Sequence, residues 1–224
     1  MALRFGLIER YRAMVDLGAG CGLRQGEIFG LAVEDIDADG GWIHVRRQVK
    51  RVRCRLVYGL PKNDKERDVP LPTSVARALK AHMEKFEPVP VTLPWETPKA
   101  AERRTLPLVF TSSRPQPKAQ SETYAKHWAI NRNSFDPKHW HRTLRRAGLP
   151  VIRANGMHAL RHFYASVLLD AGENIKAVSE YLGHHSAGYT LRVYAHLMPG
   201  KENRTRRAID DLFGGDGPDG LATA

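Results

Sequence analysis

The sequence predicts an α+β fold, predominantly helical: a helical domain carrying a small three-stranded antiparallel sheet. Apolar residues recur at helical spacing towards both ends of the chain, while strand-like alternation is confined to about residues 42–71. Turns rich in Gly and Pro separate the two patterns.

Leu7, Ile8, Tyr11, Met14 and Val15 share a helical face, so a helix is expected over about Leu7–Leu17. Gly18, Gly20 and Gly22 are expected to break it, and a second helix to run from near Arg24 to Leu31. Trp42 to Val49 alternates, with Trp42, His44 and Arg46 set against Ile43 and Val45. Arg55–Tyr58 is a second β-rich run, Gly59–Lys65 is turn chemistry, and Arg67–Leu71 reads as an edge strand in which Pro70 is tolerated. These three runs make the expected sheet.

Ser74 to about Phe86 reads as a helix with Thr73 or Ser74 as its N-cap. Pro88, Pro90, Pro94, Pro98 and Pro107 mark 87–107 as a loop or insertion. Leu108–Phe110 reads as a short strand or extended entry, and loop resumes over Gln116–Gln120. Helices are expected at Ser121–Ile130 and at Lys138–Ala147, the latter closed by Gly148 and Pro150. Further helices are expected at His158–Ala171, stopped by Gly172, at Ile175–Leu182, stopped by Gly183, and at about Lys201–Leu212. One domain is expected over 1–212, followed by a disordered tail over 213–224.

Charge narrows the partner. Thirty-five Lys and Arg against 24 Asp and Glu leave a net +11 on 224 residues. Such a surplus favours a polyanion, because each phosphate neutralised releases a condensed counterion. Charge alone leaves membrane surfaces and acidic partners open. The N-terminal stretch is interrupted by Arg4, Glu9, Arg10 and Arg12, so it is neither signal peptide nor span, and no other run is apolar enough to cross a bilayer. No membrane partner is therefore expected. Cys21 and Cys54 form neither a CxxC pair nor a disulfide framework, in keeping with a reducing, intracellular setting.

Four separated pieces carry chemistry. In Cys21-Gly-Leu-Arg24-Gln-Gly-Glu27, an arginine at a helix start can fork two N–H groups onto a phosphate, with Glu27 one turn on to hold it. Taken alone this is equally an ordinary surface pair. Lys62 follows Pro61 at a proposed hairpin turn, from which it can enter a groove or donate a proton; most such lysines are simply solvated. In His158-Ala-Leu-Arg161-His162, His158 and Arg161 share a helix face. His158 and His162 stand i,i+4, but without a following Glu or a Cys partner they do not meet a zinc motif. Gly183 turns the chain so that His184 is presented from a loop, and Tyr194 follows on its own short segment. A tyrosine there reads by itself as core packing.

The order lifts these signals together: G-L-R-Q-G-E, a lysine before V-P-L, H-A-L-R-H, L-G-H, then Tyr194. From about Tyr11 to His196 the chain resembles the catalytic domain of the tyrosine recombinases, the phage-integrase family. The strings GMHALRHFYASVLLDAG and EYLGHHSAGYTLRVYAHLMP look most like integrases of actinobacterial mobile elements.

The resemblance implies a site-specific DNA recombinase for integration or excision of a mobile element. Arg24 and Arg161 would clamp the scissile phosphate, where a planar fork serves better than an ammonium. Tyr194 would attack phosphorus and form a 3′-phosphotyrosine link. His158 would assist its deprotonation, Lys62 would protonate the leaving 5′-oxygen, His184 would hydrogen-bond the phosphate, and Glu27 would support the site. No metal, ATP or other cofactor is expected, since the phosphotyrosine conserves the bond energy. The partners implied are double-stranded DNA attachment sites, three further protomers in a tetramer assembled on DNA, and a directionality factor. The setting implied is the bacterial cytoplasm, at the nucleoid. In relatives a C-terminal segment docks on a neighbouring protomer, and the stretch near Lys201–Leu212 matches it. Family integrases usually carry N-terminal DNA-binding domains, and the expectation from this chain is that the core-binding domain is absent. Non-enzymatic DNA binding and a purely structural role are the competing readings.

Overall fold

A computed structural model describes residues 2–112 and 129–194, together with Arg206 and Asp210. The chain opens with α1 (Ala2–Gly6), a 3-10 turn at Glu9–Tyr11 and α2 (Arg12–Gly20). The helix expected at Leu7–Leu17 thus begins later and continues through Gly18 and Gly20. These glycines are contact points rather than breaks. A Cβ on Gly18 would meet Leu160 Cδ1 at 2.8 Å, and one on Gly20 would meet Val75 Cγ2 at 2.6 Å. The turn comes at Gly22, whose φ of +64 is left-handed and whose face is covered by the Tyr164 ring. Next comes α3, confined to Gln25–Phe29 with Arg24 as its extended N-cap.

The β region is built differently from the expected sheet. The strands are β1 (Ile36–Asp37), β2 (Trp42–Val45), β3 (Gln48–Val52), β4 (Arg55–Gly59) and β5 (Arg67–Pro70). A three-stranded antiparallel sheet does form, in the order β1-β2-β5, while β3 and β4 pair only with each other. The expected strand Trp42–Val49 is cut at Arg46-Arg47 because Arg47 turns inward. Its Nη1 reaches Asp35 at 2.6 Å and its Nη2 reaches Glu34 at 2.6 Å. The break frees β3 to leave the sheet and fold onto β4 about Arg53, at φ 56.

Helix α4 (Thr73–Lys85) has Pro72 as its N-cap with no side-chain cap, so neither Thr73 nor Ser74 plays the expected role. Residues 87–107, expected as a loop, are mostly a hairpin of β6 (Val89–Pro94) and β7 (Arg103–Leu108). Pro90 faces Pro107, and Pro94 sits at the same parity, so these prolines occupy pairs that require no N–H from them. Val91 and Leu93 alternate with Pro90 and Thr92 and enter the core. The prolines hid this period of two.

Helix α5 (Arg132–Phe135), a π segment (Asp136–Trp140) and α6 (His141–Arg146) run on as one stretch, starting before the expected Lys138. Asn131 sets the start, its side chain accepting from the Asn133 N–H at 3.0 Å. Then follow α7 (His158–Asp170), α8 (Ile175–Leu182) and α9 (Ala187–Tyr194). Of the helix expected at Ser121–Ile130, residues 121–128 lie outside the described residues, and Ala129 and Ile130 are buried but not helical. The Gln116–Gln120 loop and the tail 213–224 also lie outside them. Of Lys201–Leu212 only Arg206 and Asp210 are described, both helical. Among the described residues, no helix is long and apolar enough to cross a membrane.

Among the described residues, apolar burial falls into two clusters. The larger gathers α2, α3, the sheets and α6 around Met14, Leu17, Phe29, Phe110, Phe135 and Trp140. The smaller joins α7, α8 and α9 through Tyr164, Ala165, Leu169, Val178, Leu182 and Tyr194. The candidate site lies where the two meet.

Candidate active site

The end of α8 organises the site. A helix leaves its last carbonyls without intrahelical partners. Here three consecutive ones are taken by arginines from elsewhere in the chain. Arg67 Nε donates to the Tyr181 carbonyl at 2.7 Å, Arg161 Nη2 to that of Leu182, and Arg24 Nη2 to that of Gly183 at 3.2 Å. Gly183 makes this possible, since its left-handed φ of 57 ends the helix and turns the chain towards His184.

Glu27 locks the arginines from the other side. Its carboxylate accepts Arg24 Nη1 at 2.9 Å and the Arg24 backbone N–H at 2.8 Å. It also takes both Arg67 Nη atoms, at 2.9 and 2.7 Å. Burial alone would raise this carboxyl, but the charges of Arg67 and then Arg24 overcome burial and hold it at about 2. Glu27 therefore supports Arg24, as expected from the sequence, and supports Arg67 as well. Arg67 was missed because its signal, an arginine in an edge strand, is commonplace. Its function became visible only once α3 and α8 were brought beside it.

Arg161 is 1 % exposed and reaches back to the turn after α2, donating through Nη1 to the Gly22 carbonyl at 2.8 Å. Burial, then the like charge of Arg24, draws it down to about 9, so it stays charged at neutral pH. Arg24 and Arg161 thus come together although far apart in sequence. Their charges, with that of Arg67, also act on His184. After burial, these draw His184 down to about 3 and keep it neutral. Its Nδ1 lies 2.7 Å from the hydroxyl of Thr190, a fully buried residue on α9. His185, by contrast, is exposed.

His158 opens α7 and is drawn down to about 4 by burial first, then by His162, Arg161, Arg24 and Lys62. It lines an open groove of about 650 Å³ that Arg24, Lys62, Lys50, Arg132 and Arg153 also line. Lys62 is exposed and begins a 3-10 turn, Lys62–Asp64. That turn is not the expected hairpin turn, because β4 and β5 pair with different strands. Gln48 and Glu96 fix the approach to it, Gln48 donating to the Leu60 carbonyl and Glu96 accepting the Leu60 N–H, both at 2.7 Å.

Tyr194 is the last described residue of α9, and it is 3 % exposed in the smaller cluster. Its hydroxyl lies 2.7 Å from His162 Nδ1. Burial raises its pKa, and the charge of Arg161 opposes that rise. His162 was weighed in the sequence only as a zinc partner for His158. The two rings do touch, edge to face at 4.7 Å.

Comparison with known proteins identifies the family and the fold. The chain is 29% identical over 219 residues to a XerC-like tyrosine recombinase of Caldanaerobacter subterraneus, covering 92% of this chain and 50% of the relative. It is 27% identical over 205 residues to a prophage phiRv2 integrase of Mycobacterium tuberculosis, covering 91% and 47%. It therefore spans about half the length of the curated relatives it matches. Among solved structures, it shares its fold with the Tn1549 transposon integrase, at a TM-score of 0.64 and 19% identity, covering 91% of this chain and 60% of that one. A XerA recombinase shares it at a TM-score of 0.57 and 19% identity, covering 89% and 62%. The model of the phage integrase family matches residues 6–200, and the chain belongs to that family.

Proposed function

We propose that this chain is the catalytic domain of a metal- and ATP-independent DNA strand transferase, a tyrosine recombinase that cuts and rejoins duplex DNA at attachment sites. One observation supports the reading most. Arg24 and Arg161 converge on the end of α8 beside His184, and Tyr194, on the helix that follows, feels the charge of Arg161.

The arginines neutralise the nonbridging oxygens of the scissile phosphate, an electrostatic role suited to donors fixed in advance. Arg161 uses one N–H on each Nη for carbonyls and keeps its remaining donors for a further acceptor. Tyr194 attacks phosphorus, the P–O5′ bond breaks, and a 3′-phosphotyrosine link forms. Lys62, exposed at the groove, protonates the leaving oxygen. His158 serves the phosphate and the proton traffic around it. His184, neutral and held through Nδ1 by Thr190, offers its Nε2–H to the phosphate. A 5′-hydroxyl from another strand reverses the step. Integration or excision then requires two exchanges, by a tetramer on DNA with any directionality factor, in the bacterial cytoplasm. The Tn1549 integrase was solved with circular intermediate DNA, which supports duplex DNA as the partner here.

The test is covalent capture from a pool of nicked duplexes with randomised sequence around the nick. The wild type is expected to give a detergent-resistant adduct at a 3′-phosphate, and Tyr194→Phe none. Salt-dependent binding without an adduct would reduce the chain to a DNA-binding module. No binding at low salt would remove DNA from the account.

A further inference from the structure

The Tyr194 hydroxyl meets His162, not the His158 that the sequence motif nominates for its deprotonation. We propose that His162 is a further catalytic residue, the base that accepts the Tyr194 proton through Nδ1 as the phenol oxygen attacks phosphorus. The inference rests on Tyr194 being the nucleophile.

Four features support it. The contact is short, 2.7 Å, and involves the reacting atom itself. The phenol is buried, which raises its pKa and deprives it of bulk water as a proton acceptor. Burial and the adjacent charge of Arg161 lower the pKa of His162, which favours the neutral ring, and in the tautomer with its proton on Nε2 the Nδ1 lone pair accepts from the Tyr194 hydroxyl. Finally, the ring is otherwise exposed and borders an open cavity of about 470 Å³ shared with Arg153, His158 and Ala159.

The step balances. The Tyr194 O–H bond breaks, and the proton moves to Nδ1 to give an imidazolium. The Tyr194 O–P bond forms as P–O5′ breaks, and the leaving oxygen takes its proton from Lys62. The imidazolium stands beside Arg161, which disfavours its charge. It therefore sheds the Nε2 proton to solvent, or returns the Nδ1 proton to the phenol when the strand is rejoined. His158, packed edge to face on His162 at 4.7 Å, steadies the ring and is left to the phosphate.

Single-turnover adduct formation on nicked duplexes enriched from the randomised pool tests this. His162→Ala alters an exposed ring, and its DNA binding should stay at the wild-type level. Its cleavage should fall about 100-fold or more, the size of a lost general base. Placing the more acidic 3,5-difluorotyrosine at position 194 should restore most of that loss, because an acidified phenol no longer requires the base. The same phenol in His158→Ala should restore little. Wild-type or faster cleavage by His162→Ala overturns the inference, as does a loss that the acidic phenol leaves untouched. So does rescue in His158→Ala instead. If the wild type itself forms no adduct, the recombinase reading falls and takes this inference with it; a wild-type adduct with unimpaired His162→Ala sinks the inference alone.

Discussion

Arg24 and Arg161 are tied from several sides, whereas Tyr194 is the last described residue of α9. The arginines join the turn after α2, α3, β5, α7 and α8 through a fully buried Glu27 and a row of carbonyls. Tyr194 packs in the smaller cluster, and α9 meets two histidines through side-chain links: Thr190 to His184 and Tyr194 to His162. Charge stabilisation in a transition state is effective when the donors need not reorganise, so the arginine side is overdetermined. Under the proposed function, Tyr194 is the group that must attack, stay covalently bound and leave again, so it is the side expected to move.

Breaking the rigid side should have the largest effect. Glu27→Gln leaves Arg67 buried without its counter-charge, and removal of one partner from such a pair costs about 3–5 kcal/mol. Urea unfolding checks this; a loss below about 1 kcal/mol would mean that the carbonyls alone hold the arginines. Arg161→Ala should slow cleavage by roughly 10²–10³ while weakening DNA binding much less, since its contact strengthens as charge develops. Equal losses in single-turnover rate and in affinity would make Arg161 a positioning group only.

The lighter side should respond more gently. Thr190→Val keeps the buried shape but removes the hydroxyl that fixes the His184 ring. Losing that bond should cost about 1 kcal/mol, a factor of roughly five to ten in cleavage rate, with little change in unfolding. Unchanged cleavage would show that His184 needs no such support. The smallest effect is on pH dependence. His158 and His184 titrate at about 4 and about 3 in the folded chain, below the unfolded histidine value. On acidification the unfolded state takes protons first, so stability is greatest above about pH 6.5 and declines from there towards pH 4. The melting temperature should drop by about a few degrees between pH 7 and pH 5, and less in His184→Gln. A flat profile in the wild type would show that these rings are solvated as ordinary histidines.

Helix existence was legible wherever apolar spacing and glycine stops agreed, as at Ile175–Leu182, which the structure reproduces residue for residue. Strand partnership was not. Alternation marks a strand's faces but not its neighbour, and an inward-turning Arg47 sent β3 away from β2. Prolines masked the β6–β7 hairpin because local preference cannot tell which pairs need an N–H. Of the candidate site, Arg24, Glu27, Lys62, His158, Arg161, His184 and Tyr194 were nominated by ordered motifs. Arg67, Thr190 and the contact of His162 with Tyr194 were not, because each acts through a partner on another element.

The sequence by itself determined the helical character, the basic charge and the family, since composition, periodicity and motif order are properties of the chain alone. Only the tertiary structure decided which arginines share the end of α8 and which histidine meets the Tyr194 hydroxyl. The physical reason is reach: a hydrogen bond acts over about 3 Å, and only folding brings residues so distant in sequence within that distance.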